Sequence, residues 1–497
     1  MRKHILIIFL MLGSLFSQSR SLPADTAVVT YHNVTVNRSK IDYSASTGTQ
    51  PIWNDDGKPI AYVHYTYYER LNVKNKENRP IMISFNGGPG SGSVWMHLAY
   101  TGPMILNVDD EGFPVQPYGV KKNPHSIIDV ADIVFVNPVN TGYSRIIDKD
   151  VKRDKFFGVN ADIAYLAEWI NTFIQRVNRW ESPKYLIGES YGTTRVSGLA
   201  HALQNRQWMY LNGVILVSPT ELGIDSSRPD ADGRTGPLGA ALRLPYFTAT
   251  AWYHKKLPDD LQKKYLDQVL SLSEDYAVNQ LMAVLAKGNS ASENEKREAA
   301  KNIARFSGIS EKAILSYNLD VPTNFFWKEL LRDEGYTLGR LDSRYRGIDK
   351  TVAGDRPDYW AELTSWNHSF APAVNYYFKN VLKFETDVKY NLFGPVYPWD
   401  WKNNNTGENL RKAMAANPFL HTLIQAGYYD GATKYFDAKY TMWQLDPSGK
   451  MKDRLSFEGY RSGHMMYLRE PDLLKSNSDI RKFILRTIPK PGVSAKY

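Results

Sequence analysis

The sequence predicts an α/β fold, a central and mainly parallel sheet interrupted by a mainly helical insertion. Three observations predict it. Four short, nearly continuous apolar runs, "RPIMISFNGGPG", "DVADIVFVNPV", "PKYLIGES" and "LNGVILVSP", read as strands buried on both faces. Helical patterns lie between and after them, as the crossovers of a parallel sheet require. From about Gly223 to Asn417 the texture turns to amphipathic helix, and strand signal returns only with "FLHTLIQAGYYDG".

Taken in order, the chain opens with Arg2 and Lys3 ahead of an apolar run from Ile5 to Phe16, then small and polar residues. That arrangement predicts an export signal, cut between Ser17 and Leu22. "AVVTYHNVTV" and "KPIAYVHYTYYERL" alternate apolar and polar residues, and "NDDG" after "TQPIW" supplies a turn, so the mature chain should begin antiparallel. "GVNADIAYLAEWINTFIQRVNRW" places Ile163, Leu166, Trp169, Ile170, Phe173 and Val177 on one helical face. "PDDLQKKYLDQVLSLSEDYAVNQLMAVLA" and "SENEKREAAKNIARFSG" carry the insertion. The expected organisation is a signal segment over 1–21, a first core part over 22–222, a helical lid over 223–417 and a second core part over 418–497.

Composition removes several classes of function. The 497 residues include no cysteine, which excludes disulfides, thiolate catalysis and thiolate metal sites. The formal charge is +9, but the basic residues are scattered among acids rather than gathered into a stripe, so no nucleic-acid partner is expected. No stretch after the signal is apolar for long enough to span a membrane, so stable membrane insertion is not expected either. Asp230 and Asp232 in "RPDADGRTG" lack the remaining ligands of a calcium loop and read as a solvated turn, and no metal is expected. His97 and His125 read as structural. "GRLDSRYRGID" reads as charges pairing on the insertion rather than as part of a site.

The chemistry lies in three separated motifs. "YLIGESYGTT" runs a strand into Gly188-Glu189-Ser190-Tyr191-Gly192 and then a helix, the context in which a serine hydroxyl is both exposed and held for attack on a carbonyl. "FNGGPGSGS", from Phe85 to Ser93, ends an earlier strand in a glycine-rich turn whose backbone N–H groups can approach a developing oxyanion. "GYYDG" places Asp430 just after a strand, and "GHMMY" places His464 in a glycine-marked loop. Ser, Asp, His is the order in which the α/β-hydrolase fold meets its triad. A serine hydrolase needing no cofactor is the expected class, with an aminopeptidase, an esterase and an inactive peptide-binding protein as alternatives.

Together with "NPHSIIDVADIVFVNPVNTGYS", these motifs resemble the serine carboxypeptidase family in its bacterial form. The resemblance implies that Ser190 is the nucleophile, His464 the general base and then acid, and Asp430 the residue that orients the imidazole. It implies oxyanion donors at the backbone N–H of Gly88 and Tyr191. Asn86, Gly87 and Glu189 would bind the terminal carboxylate of a peptide, making peptides with a free C-terminus the expected partners. The expected location is the bacterial periplasm or the extracellular medium. Two positions depart from the pattern of many eukaryotic members: Ser84 stands where they carry tryptophan, and Ser91 where they carry cysteine.

Overall fold

The computed structural model describes residues 20–224, 234–490 and 492–497. Residues 1–19 of the expected export signal, Asp230 and Asp232 lie outside the described residues. Three antiparallel strands, β1 (Thr26–Val36), β2 (Ser39–Trp53) and β3 (Pro59–Arg70), open a ten-stranded sheet. The sheet continues with β4 (Ile81–Phe85), β5 (Asp132–Asn137), the two-residue β6 (Arg145–Ile146), β7 (Lys184–Glu189), β8 (Gly213–Val217), β9 (His421–Gly427) and β10 (Leu455–Tyr460). Its spatial order is β1-β2-β3-β5-β4-β7-β8-β9-β10, with β6 pairing on β3. Every ladder from β5 to β10 along this path is parallel.

Both faces of the parallel part are covered, which is why its strands read as unbroken apolar runs. Ile81, Ile83, Phe85, Leu186, Val214 and Leu216 point into one core, while Met82, Tyr185, Ile187, Ile215 and Val217 point into the other. On the second face lies the short α1 (Val94–Ala99). The first face is covered by α2 (Val159–Arg176) and α3 (Tyr191–Arg206), with Ile163, Leu166, Trp169, Ile170 and Phe173 of α2 buried as its periodicity predicts.

The insertion's helices include α4 (Gly236–Tyr253), α5 (Leu266–Tyr276) and α6 (Glu293–Ser307), which share a core of their own around Phe247, Val269, Ile303, Phe306 and Trp327. Ser292 and Glu295 close α6 at its start with a reciprocal capping box, and Gly308, at φ 71°, ends it. After α7 (Ala361–Tyr376) comes α8 (Thr406–Ala416). Leu410, Ala413 and Met414 pack it along α3 in the first core. The spacing of those three residues marks a core helix, but neighbouring polar residues mask it in sequence. The C-terminal α9 (Glu470–Thr487) closes the second face through Ile480, Phe483 and Ile484. Among the described residues no helix is long and apolar enough to cross a membrane.

One buried ionic cluster ties the antiparallel and parallel halves together. Asp132, at the head of β5 and fully buried, accepts hydrogen bonds from Arg79 Nε at 2.8 Å, from Arg179 Nη1 at 2.5 Å and from the Arg70 backbone N–H at 2.9 Å. Removing the carboxylate leaves two buried guanidinium cations uncompensated. Asp132→Ala should therefore lose about 3–5 kcal/mol, read as a lowered urea midpoint. An unchanged midpoint would show that the cations are not held by this carboxylate.

Candidate active site

Parallel strands that end at the same level present their following loops along one edge, and this edge gathers the predicted residues. Phe85 of β4 stands opposite Gly188 of β7, so the loop after β4 and the elbow after β7 leave the sheet side by side. At the elbow Ser190 adopts φ 57° and ψ −128°, a region that costs a non-glycine residue roughly 1–3 kcal/mol and persists only where its surroundings enforce it. The enforcement is visible. A Cβ on Gly188 would lie 2.2 Å from the carbonyl oxygen of Gly192, and one on Gly192 would lie 2.8 Å from that of Phe85. The Ser190 N–H donates to the Val217 carbonyl at 3.0 Å, fastening the turn to β8.

The histidine and aspartate arrive from the two last strands. Asp430 follows β9 and His464 follows β10, and His464 Nδ1 lies 2.6 Å from Asp430 Oδ2. Asp430 is wholly buried, and its Oδ1 accepts from the backbone N–H groups of Ala432 at 2.9 Å and Thr433 at 3.0 Å. The Thr433 hydroxyl sits 2.6 Å from Asp430 Oδ2 and 2.9 Å from the Ser218 carbonyl. Burial lowers the His464 pKa, but the charge and hydrogen bond of Asp430, together with Glu189, outweigh it and leave the imidazole above its usual value. Asp437, the nearest alternative acid in sequence, instead pairs with Arg234 at 3.2 Å.

Glu189 is almost entirely buried. Its Oε1 accepts from the Tyr467 hydroxyl at 2.7 Å and its Oε2 from the Asn86 side-chain amide. Asn86 Oδ1 in turn accepts the Met96 N–H at 3.1 Å. Burial pushes the Glu189 carboxyl up to about 7, against the His464 charge and the Tyr467 hydrogen bond, which both favour ionisation. Ser84, at the position of the family tryptophan, is buried with its hydroxyl toward the Met96 sulfur.

A cavity of about 860 Å³ opens over these groups, lined among others by Asn86, Gly88, Glu189, Ser190, Tyr191 and His464. Neither the Gly88 nor the Tyr191 N–H donates to a backbone carbonyl among the described residues. One wall is aromatic: Trp95, Trp366, Phe393, Tyr397 and Trp401 all face the cavity. Arg340 and Leu341 line it too, which corrects the expectation for "GRLDSRYRGID". Arg344 and Asp342 do pair, at 2.6 Å, but the backbone of the segment is stitched to both triad loops: Gly431 N–H to the Arg340 carbonyl at 3.0 Å and His464 N–H to that of Leu341 at 2.6 Å. Charge spacing in sequence could not show where the peptide groups bond. Among the described residues no cluster of three or more His, Asp and Glu is arranged to hold a metal ion.

Residues 54–429 match the family model described as serine carboxypeptidase, a span that stops one residue before Asp430. The chain belongs to the serine carboxypeptidase family. Vitellogenic carboxypeptidase of Aedes aegypti is 29% identical over 158 residues, 31% of this chain and 30% of its own length. Serine carboxypeptidase-like 36 of Arabidopsis thaliana is 26% identical over 175 residues, 33% of each chain. The chain thus spans about a third of the length of these curated relatives. Among solved structures, Kex1ΔP, a prohormone-processing carboxypeptidase of Saccharomyces cerevisiae, superposes with a TM-score of 0.54 at 15% identity, covering 89% of this chain and 91% of that one. That likeness speaks for the α/β-hydrolase fold.

Within this serine carboxypeptidase fold, Tyr467 and Thr433 are contacts that motif reading passed over. Both lie three residues after a predicted triad member, Tyr467 at the end of "GHMMY" and Thr433 two residues beyond "GYYDG". Removing the Tyr467 hydroxyl withdraws a donor from the ionised form of Glu189. Tyr467→Phe should therefore raise the Glu189 midpoint above its present value of about 7. A difference infrared titration of the protonated carboxyl band, with Glu189→Gln as reference, measures this. A midpoint that falls would contradict the hydrogen bond.

Proposed function

We propose that the protein is an exported serine carboxypeptidase that releases single residues from peptide C-termini through an acyl-enzyme intermediate. The observation that carries the reading is the buried carboxyl of Glu189, bonded to Asn86 and Tyr467, next to the elbow serine. A neutral carboxyl group can share its proton with a terminal carboxylate, whereas an amine would be met by ionised acids. Export rests on the charged and apolar N-terminal segment and on a cysteine-free composition suited to a chain folding outside the cytoplasm without staples.

In this reading His464, with Nδ1 committed to Asp430, presents Nε2 to Ser190. Ser190 Oγ attacks the carbonyl carbon of the last peptide bond as its proton passes to Nε2. The negative charge on the carbonyl oxygen is received by the N–H groups of Gly88 and Tyr191. Collapse of the tetrahedral adduct breaks the C–N bond, and His464 returns the proton to the leaving amine. The free amino acid departs, and water, activated by the same histidine, cleaves the ester. Until that amino acid departs, Asn86, Gly87 and Glu189 hold its terminal carboxylate and so place the last peptide bond over Ser190. The aromatic lining offers apolar contact to the side chains of a bound peptide.

Ser190→Ala and His464→Ala should reduce turnover to nearly the same residual level, with the double variant little worse, because the two act as a unit. Asp430→Asn should cost roughly 10⁴ in turnover by fixing the wrong tautomer. A nearly silent Asp430→Asn would refute the triad.

The carboxylate role has a pH signature. Below about pH 7 Glu189 holds its proton and accepts a terminal carboxylate; above it the proton is lost and the two carboxylates repel. KM for free-acid peptides should climb as pH rises through 7, while Glu189→Gln and C-terminally amidated peptides show a flatter profile. Turnover should fall only on the acid side, where His464 becomes protonated. A wild-type KM flat with pH, or equal cleavage of acid and amide peptides, would favour an esterase or another peptidase.

A further inference from the structure

The loop that carries Gly88 is held within itself by one backbone hydrogen bond, from the Ser91 N–H to the Gly87 carbonyl at 3.0 Å. Gly87 and Gly88 adjoin within it, and Gly88 sits at φ 106°, where little besides glycine is comfortable. An N–H aimed at an oxyanion must nevertheless hold its direction to about 10–20°. The bond from Ser91 holds the Gly87–Gly88 peptide itself, and the peptides on either side of it are fixed from outside the loop. From Gly90 onward the fixing comes from the segment before α8: Gly394 N–H donates to the Gly90 carbonyl at 2.7 Å, and Gly92 N–H donates to that of Leu392 at 2.9 Å. The first half of the loop is gripped from below.

That grip is the guanidinium of Arg195, which is wholly buried on α3, five residues beyond Ser190. Its Nη1 donates to the Asn86 carbonyl at 2.6 Å and its Nη2 to the Pro89 carbonyl at 3.3 Å. The two carbonyls flank Gly87 and Gly88. Its Nε donates to Asp162 Oδ2 at 2.7 Å, and Asp162 Oδ1 accepts the Tyr165 hydroxyl at 3.1 Å. The same hydroxyl receives the Val139 N–H at 3.1 Å, which ties α2 to the chain leaving β5. The guanidinium carbon lies 5.3 Å from the centre of the Tyr191 ring and 5.8 Å from that of Phe85. A planar fork with five donors can hold two carbonyls and a carboxylate at once; an ammonium group cannot do so in this geometry.

We propose that Arg195 is the positioning residue of the oxyanion loop: by bonding the carbonyls on either side of Gly87 and Gly88 it sets the direction of the Gly88 N–H. It rides on the helix that starts at the elbow, so Ser190 and the loop are indexed to one rigid element. The inference rests on the serine-hydrolase reading above, since it assigns Gly88 to the developing oxyanion.

A buried arginine that merely stabilised the fold would affect all ligands alike, and this separates the two roles. The test compares wild type with Arg195→Lys, using a peptidyl boronic acid that forms a tetrahedral adduct on Ser190 and a product peptide that binds without one. Arg195→Lys should weaken the boronate and lower kcat together, by roughly 10²–10³, the scale of losing one oxyanion donor. KM and product affinity should stay within about threefold. If Arg195→Lys accumulates too little folded protein, Asp162→Leu combined with Arg195→Met removes the pair without stranding a buried charge, and the same split is expected. Boronate affinity equal to wild type, or boronate and product affinity falling in parallel, would overturn the positioning role and leave the hydrolase reading standing. A wild type that neither binds the boronate nor cleaves peptides would overturn both.

Discussion

The arrangement depends on one contact, backbone against backbone, between the loop after β4 and the elbow after β7. A Cβ on Gly87 would stand 2.5 Å from the Tyr191 nitrogen and 2.6 Å from the Glu189 carbonyl oxygen. No side chain fits between the two turns, so any substitution that adds one must drive them apart. The close approach lets the Asn86 amide reach Glu189 and brings Gly88 and Tyr191 into the lining of one cavity. It is possible because β4 and β7 are immediate neighbours in the sheet, with Phe85 and Gly188 in register.

Around that contact the molecule is organised by burial. Asp132, Asp162 and Asp430 are buried carboxylates, and each is bonded by a partner from an element distant in sequence: Arg179, Arg195 and His464. Glu189 differs in degree. Its two donors do not offset the loss of solvent, and its carboxyl is held near neutrality. Burial also raises the carboxyls of Asp162, Glu362 and Glu221, and of these Glu221 lines the same cavity as Glu189.

The motifs could be read because each is a short continuous run. Gly188 and Gly88 answer to steric limits within a few residues of themselves, whereas Gly87 and Gly192 answer to each other's turn, and the continuous apolar runs of β4, β5, β7 and β8 answer to burial on both faces. What resisted reading was long-range. β10 is only partly buried over most of its length, and its "LSFEGY" carries too little apolar signal to stand out. The aromatic wall comes from residues 95, 366, 393, 397 and 401, which share no local pattern. Arg195 looks like any polar helix residue until the two carbonyls it holds are placed above it. The segment around Arg340 reads as charge, while its backbone bonds to Gly431 and His464 depend on strands more than eighty residues away.

The position of the last two strands has a consequence for how the chain is made. β9 and β10 are the final strands in sequence, and they carry Asp430 and His464, whereas the elbow with Ser190 is complete much earlier and the whole helical insertion lies between. The glycine loop waits for its braces at Leu392 and Gly394, and the serine stands without an imidazole beside it until residue 464 has been made. Under the proposed triad, order of synthesis alone keeps the serine silent in every unfinished chain.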